Sequence, residues 1–286
     1  MKAIIGSPDD DASRLTLADW LEEQGESARA EFIRLQCELF RLRSSNKNWQ
    51  QYARREKELL KQHGRAWIEH DSVPRALGDV ENAFERGFVN RLFWPGGEEN
   101  YFLREAKHYF AATPLEHLTI GGSEEVAAYL AKSRYLLRLR SLFLYGDGHG
   151  GGGIHDEGAH HLARSRYAGN LRSLKIEDDQ VLHEGIADSG VRALASSIHL
   201  AELRHLQLLG WEFGDEGVAA LAQSKNMPRL QTLTLSSPKI GDVAAYALAA
   251  SSSLRKLKKL ELWLTAISDA GKCALQERFG QRLIVK

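Results

Sequence analysis

Cysteine is almost missing from this chain of 286 residues. Its two copies, Cys37 and Cys273, stand far apart and form neither a CxxC pair nor a regular framework. That excludes a disulfide-stapled small domain and points to a reducing compartment. Net charge is missing too, since 38 Lys and Arg offset 38 Asp and Glu, so no global field recruits nucleic acid or an anionic membrane. Long apolar runs do not occur. The opening MKAIIGSPDDD is too short in its apolar part for a signal peptide, and no stretch approaches about 18 uninterrupted apolar residues, the length that reads as a membrane span. A soluble, cytoplasmic protein is the expectation. Catalytic signatures are absent as well: there is no G-x-S-x-G, no H-E-x-x-H and no G-x-x-x-x-G-K-[ST]. No enzymatic activity and no cofactor are expected.

What the chain does have is a period. Leu203, Leu206, Leu208, Phe213 and Asp215 are followed, each 27 residues later, by Leu230, Leu233, Leu235, Ile240 and Asp242. A fixed offset of this length marks stacked solenoid units. The first leucine of the pattern falls at Leu115, Leu139, Leu171, Leu203, Leu230 and Leu257, with further apolar residues at plus three and plus five each time. Five of the six units then place an aspartate two residues after an apolar position, at Asp156, Asp188, Asp215, Asp242 and Asp269. Each aspartate precedes a stretch such as DEGVAALAQS, so it is expected to cap that helix. Val89, Leu92 and Trp94 match the strand spacing and read as a degenerate first unit, followed by a helix over 98–110. Near the other end, Ile284 stands 27 residues after Leu257 and reads as an aborted closing strand.

This six-fold L-x-x-L-x-L core resembles the leucine-rich repeat family in its longer strand-plus-helix class, typified by ribonuclease inhibitor. The asparagine or cysteine usual after the strand is absent, with Trp211, Pro238 and Thr265 near that place. The turn there must therefore be satisfied differently. The expected fold is α/β: a repeat solenoid with a concave parallel sheet and helices outside, preceded by a small all-α domain. One unit cannot bury its apolar face alone, so neighbours must stack.

Residues 8 to 68 read as helical. Ser7 or Asp9 can cap a first helix with Pro8 in its first turn, and Gly25 closes it. A second helix over about Ser27 to Leu42 places Phe32, Leu35, Gln36, Leu39 and Leu42 on one side, with Arg29, Glu31, Arg34 and Arg41 largely elsewhere. A third runs over about Asn48 to His63, and Trp67 and Ile68 continue its apolar signal past Gly64. The run Ala18-Asp19-Trp20-Leu21-Glu22-Glu23, with Asp10, Asp11, Arg14 and Leu15 before it and RAEFIRLQ at 29–36 after it, resembles a bacterial N-terminal repeat-companion domain. The resemblance implies no catalytic residues. Asp19, Arg29 and Glu31 read as a charge network fixing helix packing. The domain expectation is a helical domain at 1–70, a connector with a degenerate capping repeat at 71–112, and repeats at 113–286.

Positions between the leucines face the concave surface. They bring forward Phe143, Tyr145, Lys175, Glu177, Gln207, Leu209 and Trp263, with Trp211 just beyond its strand. Aromatic groups on such a face are typical interface anchors. Two adjacent units are five residues longer than the rest, in the loops 145–153 and 177–185, YGDGHGGGG and EDDQVLHEG. Insertions at the same place in neighbouring repeats emerge on one rim. Their His149, His155, His183, Asp147, Asp178 and Asp179 have metal-ligand chemistry but match no known spacing, so no metal is assigned. The expected function is a non-enzymatic protein–protein interaction module that binds a macromolecular partner through the concave face and these loops. Nucleic acid and membrane are not expected partners. A scaffold in a larger complex and a metal-dependent site on the paired loops are the alternatives.

Overall fold

The computed structural model describes residues 1–42, 44–70, 80–95, 99–146, 153–178 and 185–286. Most of both long loops, including Asp147, His149, Asp179 and His183, lies outside the described residues. Two compact units are present, Met1–Trp94 with Arg104–His117, and Pro95–Leu103 with Leu118–Lys286. Among the described residues no helix is long and apolar enough to cross a membrane.

The first unit begins with α1 (Lys2–Gly6), α2 (Ala12–Glu23), α3 (Ser27–Arg41), α4 (Trp49–His70) and α5 (Val80–Ala83). The one-turn α1 was not legible in the sequence; it exists to bury Ile4 against Ala18, Leu21, Ala30, Ile33, Cys37 and Phe88. Because residues 7–10 close a turn of their own, Asp10 N–H to Ser7 C=O, the first long helix starts at Ala12 rather than after Ser7 or Asp9. Its first free N–H, from Ala12, goes to Asp10 Oδ1 at 3.0 Å. Gly25 ends α2 in the left-handed region at φ 84°, as its position suggested. The third expected helix continues through Gly64 to His70. A Cβ at Gly64 would come within 2.7 Å of Val80 Cγ1, so this glycine admits α5 rather than ending α4.

Arg29 is not on a solvated face. It is 7 % exposed, with its guanidinium 4.9 Å from the Trp67 ring centroid and 5.5 Å from that of Phe84. The expected charge network exists with other partners: Arg34 bridges Asp19 and Glu22 at 2.7 Å each, and Arg55 forks onto Glu31. Beyond α5 comes an unexpected hairpin, β1 (Phe84–Glu85) against β2 (Phe88–Val89). Its two turn residues, Arg86 at φ 50° and Gly87 at φ 88°, give the doubly positive geometry of a tight hairpin turn. A non-glycine residue there is held by its side chain. The Arg86 guanidinium is 3 % exposed, donates to the carbonyls of Pro8 and Asp9, and meets Asp11 at 3.3 Å. The Gly87 N–H donates to Gln36 Oε1 at 2.6 Å, so the hairpin tip is clasped from two sides. Strand β3 (Arg91–Trp94) and α6 (Glu99–Ala112) follow, with Val89, Leu92 and Trp94 all buried.

In the second unit strand and helix alternate: β4 (His117–Gly121), α7 (Glu124–Lys132), β5 (Ser141–Tyr145), α8 (Asp156–Arg164), β6 (Ser173–Glu177), α9 (Asp188–Ser196), β7 (His205–Leu209), α10 (Asp215–Gln223), β8 (Thr232–Ser236), α11 (Asp242–Ala250), β9 (Lys259–Trp263), α12 (Asp269–Phe279) and β10 (Leu283–Val285). Strands β4 to β10 lie side by side in chain order, with parallel in-register pairing from β5 to β9. The leucine positions at zero, plus three and plus five are 2 % exposed or less in all six units. Each such burial contributes about 2 kcal/mol. Val191, Leu194, Val218 and Leu221 supply the helix wall opposite. The last strand arrives early: Leu283 pairs with Leu260 and Ile284 with Glu261, because Arg282 ties its connection short by donating to the carbonyls of Leu257, Arg278 and Phe279.

The repeated aspartates do not cap their own helices. Each is the first residue of one helix, and the first four accept from the start of the next. Asp156 Oδ1 takes the N–H groups of Ala187 and Gly190, Asp188 Oδ1 those of Gly214 and Gly217, and Asp215 Oδ1 those of Gly241 and Ala244. Asp242 takes the N–H of Ser268 and its hydroxyl. In the unit that lacks the aspartate, Glu124 does the same work through the His155 N–H at 2.8 Å. A carboxylate here answers both the orphan donors and the positive end of the following helix. It also explains the D-x-G spelling: a Cβ at Gly190 would lie 2.5 Å from Asp156 Oδ1, and one at Gly217 2.7 Å from Asp188 Oδ1. At the other end of the helices, Ser165, Ser197, Ser224 and Ser251 donate back to the carbonyls of Ala131, Ala163, Ala195 and Ala222 at 2.5 to 2.6 Å. Neighbouring repeats are therefore pinned at both helix termini.

Candidate functional site

The parallel register puts the residues between the leucines into three straight rows across β5 to β9. The first row is Ser141, Ser173, His205, Thr232 and Lys259; the second is Phe143, Lys175, Gln207, Thr234 and Glu261; the third is Tyr145, Glu177, Leu209, Ser236 and Trp263. Alternation within each strand turns all of them to the face opposite the leucine core. The six candidates Phe143, Tyr145, Lys175, Glu177, Gln207 and Leu209 thus sit on three successive strands, β5, β6 and β7. Trp263 stands two strands further on, and Trp211 follows Gly210 beyond the end of β7.

All eight are half-buried. Phe143 and Tyr145 pack against each other with ring centroids 5.5 Å apart. Lys175 Nζ lies 3.8 Å from the Phe143 centroid and 2.9 Å from Glu177 Oε2, so one ammonium joins the aromatic pair to the acidic row. Strand β9 repeats this Lys-x-Glu device: Lys259 meets Glu261 at 2.5 Å, and Thr234 Oγ1 donates to Glu261 Oε2 at 3.2 Å. Between the two paired strands the face is neutral. His205 Nδ1 lies 3.0 Å from Thr232 Oγ1, and burial together with the nearby Arg204 lowers the imidazole pKa, favouring the uncharged ring. Thr234 and Ser236 are buried beneath longer neighbours. Trp263 carries the Lys286 ammonium 5.9 Å from its ring centroid, and its indole Nε1 is buried without a hydrogen-bond partner among the described residues.

Trp211 is placed by a residue to which the sequence reading gave only possible metal chemistry. Asp178, 1 % exposed, follows β6; its Oδ1 accepts the Ile186 N–H at 3.1 Å and its Oδ2 the Trp211 N–H at 3.2 Å. Burial pushes this carboxyl up to about 7, against the opposing pull of the two N–H groups. Glycines at 185 and 210 leave room for it, since a Cβ at either would overlap the carboxylate. Two repeats further on, Ser237 takes the equivalent place, donating to Phe213 C=O at 2.6 Å and accepting from Lys239 N–H. Asp178 and Ser237 therefore satisfy the turns that follow β6 and β8. The signal available in the sequence was the glycine immediately before each donor, Gly185 before Ile186 and Gly210 before Trp211.

Chemically the face offers two aromatic stations, ion pairs already satisfied within their own strands, and a neutral hydroxyl-lined centre between them. That arrangement suits contact with another surface over an extended area. No protein-family model matches the chain, and no curated protein matches it. Among solved structures it is similar to a protein from Bacteroides fragilis, at 15 % identity over 81 % of this chain and 83 % of that one, with a TM-score of 0.40. At that level the likeness assigns neither family nor function.

Proposed function

We propose that the chain is a protein-recognition module of the leucine-rich repeat type, working in the cytoplasm of a bacterium, whose concave face binds a macromolecular partner. The observation that carries this reading is the Phe143–Tyr145–Lys175 cluster on a regular, half-buried sheet face. Pre-ordered aromatic rings give up little conformational entropy on docking, and hot spots of binding energy concentrate in such groups. Glu177, Gln207 and Leu209 continue the surface toward Trp211, and Trp263 supplies a second anchor. Both cysteines are free, and the Cys37 thiol is pushed up to about 11 by burial, a chemistry that fits a reducing interior without redox duty.

The test is affinity capture from the native host followed by calorimetry on the captured partner. Phe143→Ala with Tyr145→Ala is expected to weaken binding about thirtyfold, the loss of about 2 kcal/mol typical of an anchor pair. An unchanged affinity in this double variant and in Trp263→Ala would sink the assignment of the concave face.

A further inference from the structure

The chain is neutral as a whole, yet the second unit distributes its charge unevenly. The four residues that open each strand, from one before the first leucine to two after it, read RLRS, NLRS, ELRH, RLQT and KLKK at 138–141, 170–173, 202–205, 229–232 and 256–259. Eight are Lys or Arg and one is Glu. Because the strands are parallel and in register, these segments all fall on one rim. Backbone bonds fix the alignment one residue before the strands begin: Arg172 N–H to Arg140 C=O, Arg204 to Arg172, Gln231 to Arg204 and Lys258 to Gln231. Arg172, Lys256 and Lys258 are exposed, Arg204 is half-buried, and none of the four forms an ion pair among the described residues. At the opposite rim the acidic side chains are already engaged: Glu177 ends β6 and pairs with Lys175, Asp178 is buried, and Glu212 pairs with Lys239.

Resting on the concave-face reading, we propose that the basic rim where β5 to β9 begin docks an extended acidic peptide segment of the partner, laid across the strands. Five strands at about 4.8 Å spacing span about 19 Å, the length of about six extended residues. A run of about six residues rich in Asp and Glu therefore matches the row of cations. The strip favours a peptide over nucleic acid for two reasons. It is about two residues deep, and the carboxylates of Glu177 and Glu261 stand in the rows beyond it, so a broad polyanion would meet them. It also contains no Phe, Tyr or Trp, whereas single-stranded nucleic acids bind basic grooves through stacked bases; Phe143, Tyr145 and Trp263 stand in the rows nearer the opposite rim.

The experiment is fluorescence anisotropy of a labelled hexaglutamate peptide titrated with the full chain. Saturable binding is expected, weakening about tenfold as salt rises from about 0.02 M to about 0.2 M. Arg172→Glu with Arg204→Glu, and separately Lys256→Glu with Lys258→Glu, should each weaken binding about tenfold or more while the circular dichroism melt holds. Glu212→Gln, on the other rim, should leave it unchanged. No binding at low salt, no effect of either reversal, or equal or tighter binding of a thymidine oligonucleotide of the same charge would each overturn the proposal. If the reversals spare partner capture while Phe143→Ala with Tyr145→Ala abolishes it, the concave face stands as the binding surface and the acidic-peptide inference alone falls.

Discussion

Replacing Asp188 with alanine separates two accounts of the repeated aspartates. If Asp188 capped α9, its own helix, the loss would appear in the first turn of that helix. In the structure its Oδ1 instead receives the N–H groups of Gly214 and Gly217, at 2.7 and 2.8 Å, in the first turn of α10. The Gly190 N–H of α9 is held by Asp156 and should not notice the change. Loss of a helix N-cap costs about 1 kcal/mol, and hydrogen bonds to a charged acceptor are worth about 1.5 to 3 kcal/mol each. These hydrogen bonds are partly buried, so water can replace the carboxylate in part once it is gone, and a net loss of about 2 kcal/mol is expected. Asp188→Asn keeps an acceptor oxygen but not the charge facing the helix dipole, and should lose about half as much. Urea denaturation gives the total, and amide hydrogen exchange gives the place. Gly214 and Gly217 should exchange faster by about thirtyfold in the alanine variant, the same free energy expressed locally, with Gly190 unchanged. Faster exchange at Gly190, with Gly214 and Gly217 still protected, would refute the inter-repeat assignment.

Asp178 supplies a pH dependence whose sign can be worked out. The folded chain holds this proton more tightly than the unfolded chain, so ionisation opposes folding, and stability falls as pH rises from the ordinary carboxylate value through about 7. Asp178→Asn should flatten the urea midpoint between about pH 4 and pH 7, the range its raised pKa sets; parallel curves for the two proteins would count against a buried proton. Arg86→Ala should destabilise the first unit by about 3 kcal/mol, because it removes a buried cation from two carbonyls and Asp11 and leaves a left-handed turn without its clasp; thermal unfolding measures it. Ser224→Ala frees the Ala195 carbonyl and the Asn226 N–H, and should cost about 1 kcal/mol by the same denaturation assay.

The repeat was legible because it is written in apolar spacing. Leucines at zero, plus three and plus five can serve only one stacked geometry, and every one of them is buried. Contacts between repeats were harder to read, since Asp188 and Gly217 stand 29 positions apart and nothing local says that one makes room for the other. The first unit shows the same divide. Gly25 ended its helix by a local rule, whereas Gly64 is governed by Val80, and Arg29 by rings from α3, α4, β1 and β2. On the concave face, alternation correctly assigned the rows, but not the degree of cover: Thr234 and Ser236 vanish beneath longer neighbours on the adjacent strands, 27 residues away in either direction. The charged rim was hidden by a different cause. Summing charge over the whole chain gives zero, and only the parallel register reveals that the cations recur at one strand end.

The carboxylate ladder gives the solenoid a direction. Every helix start from α8 to α12 depends on a side chain that comes earlier in the chain, while Asp269, the last of the series, is exposed and among the described residues pairs only with Lys272 one turn along. A repeat removed from the carboxyl end takes away a debtor and leaves a spare acceptor in water; one removed from the amino end strands its successor with open donors. Shortened chains should therefore survive better when trimmed from the back than from the front. During synthesis the same polarity means that each new helix leaves the ribosome to find its anchor already standing.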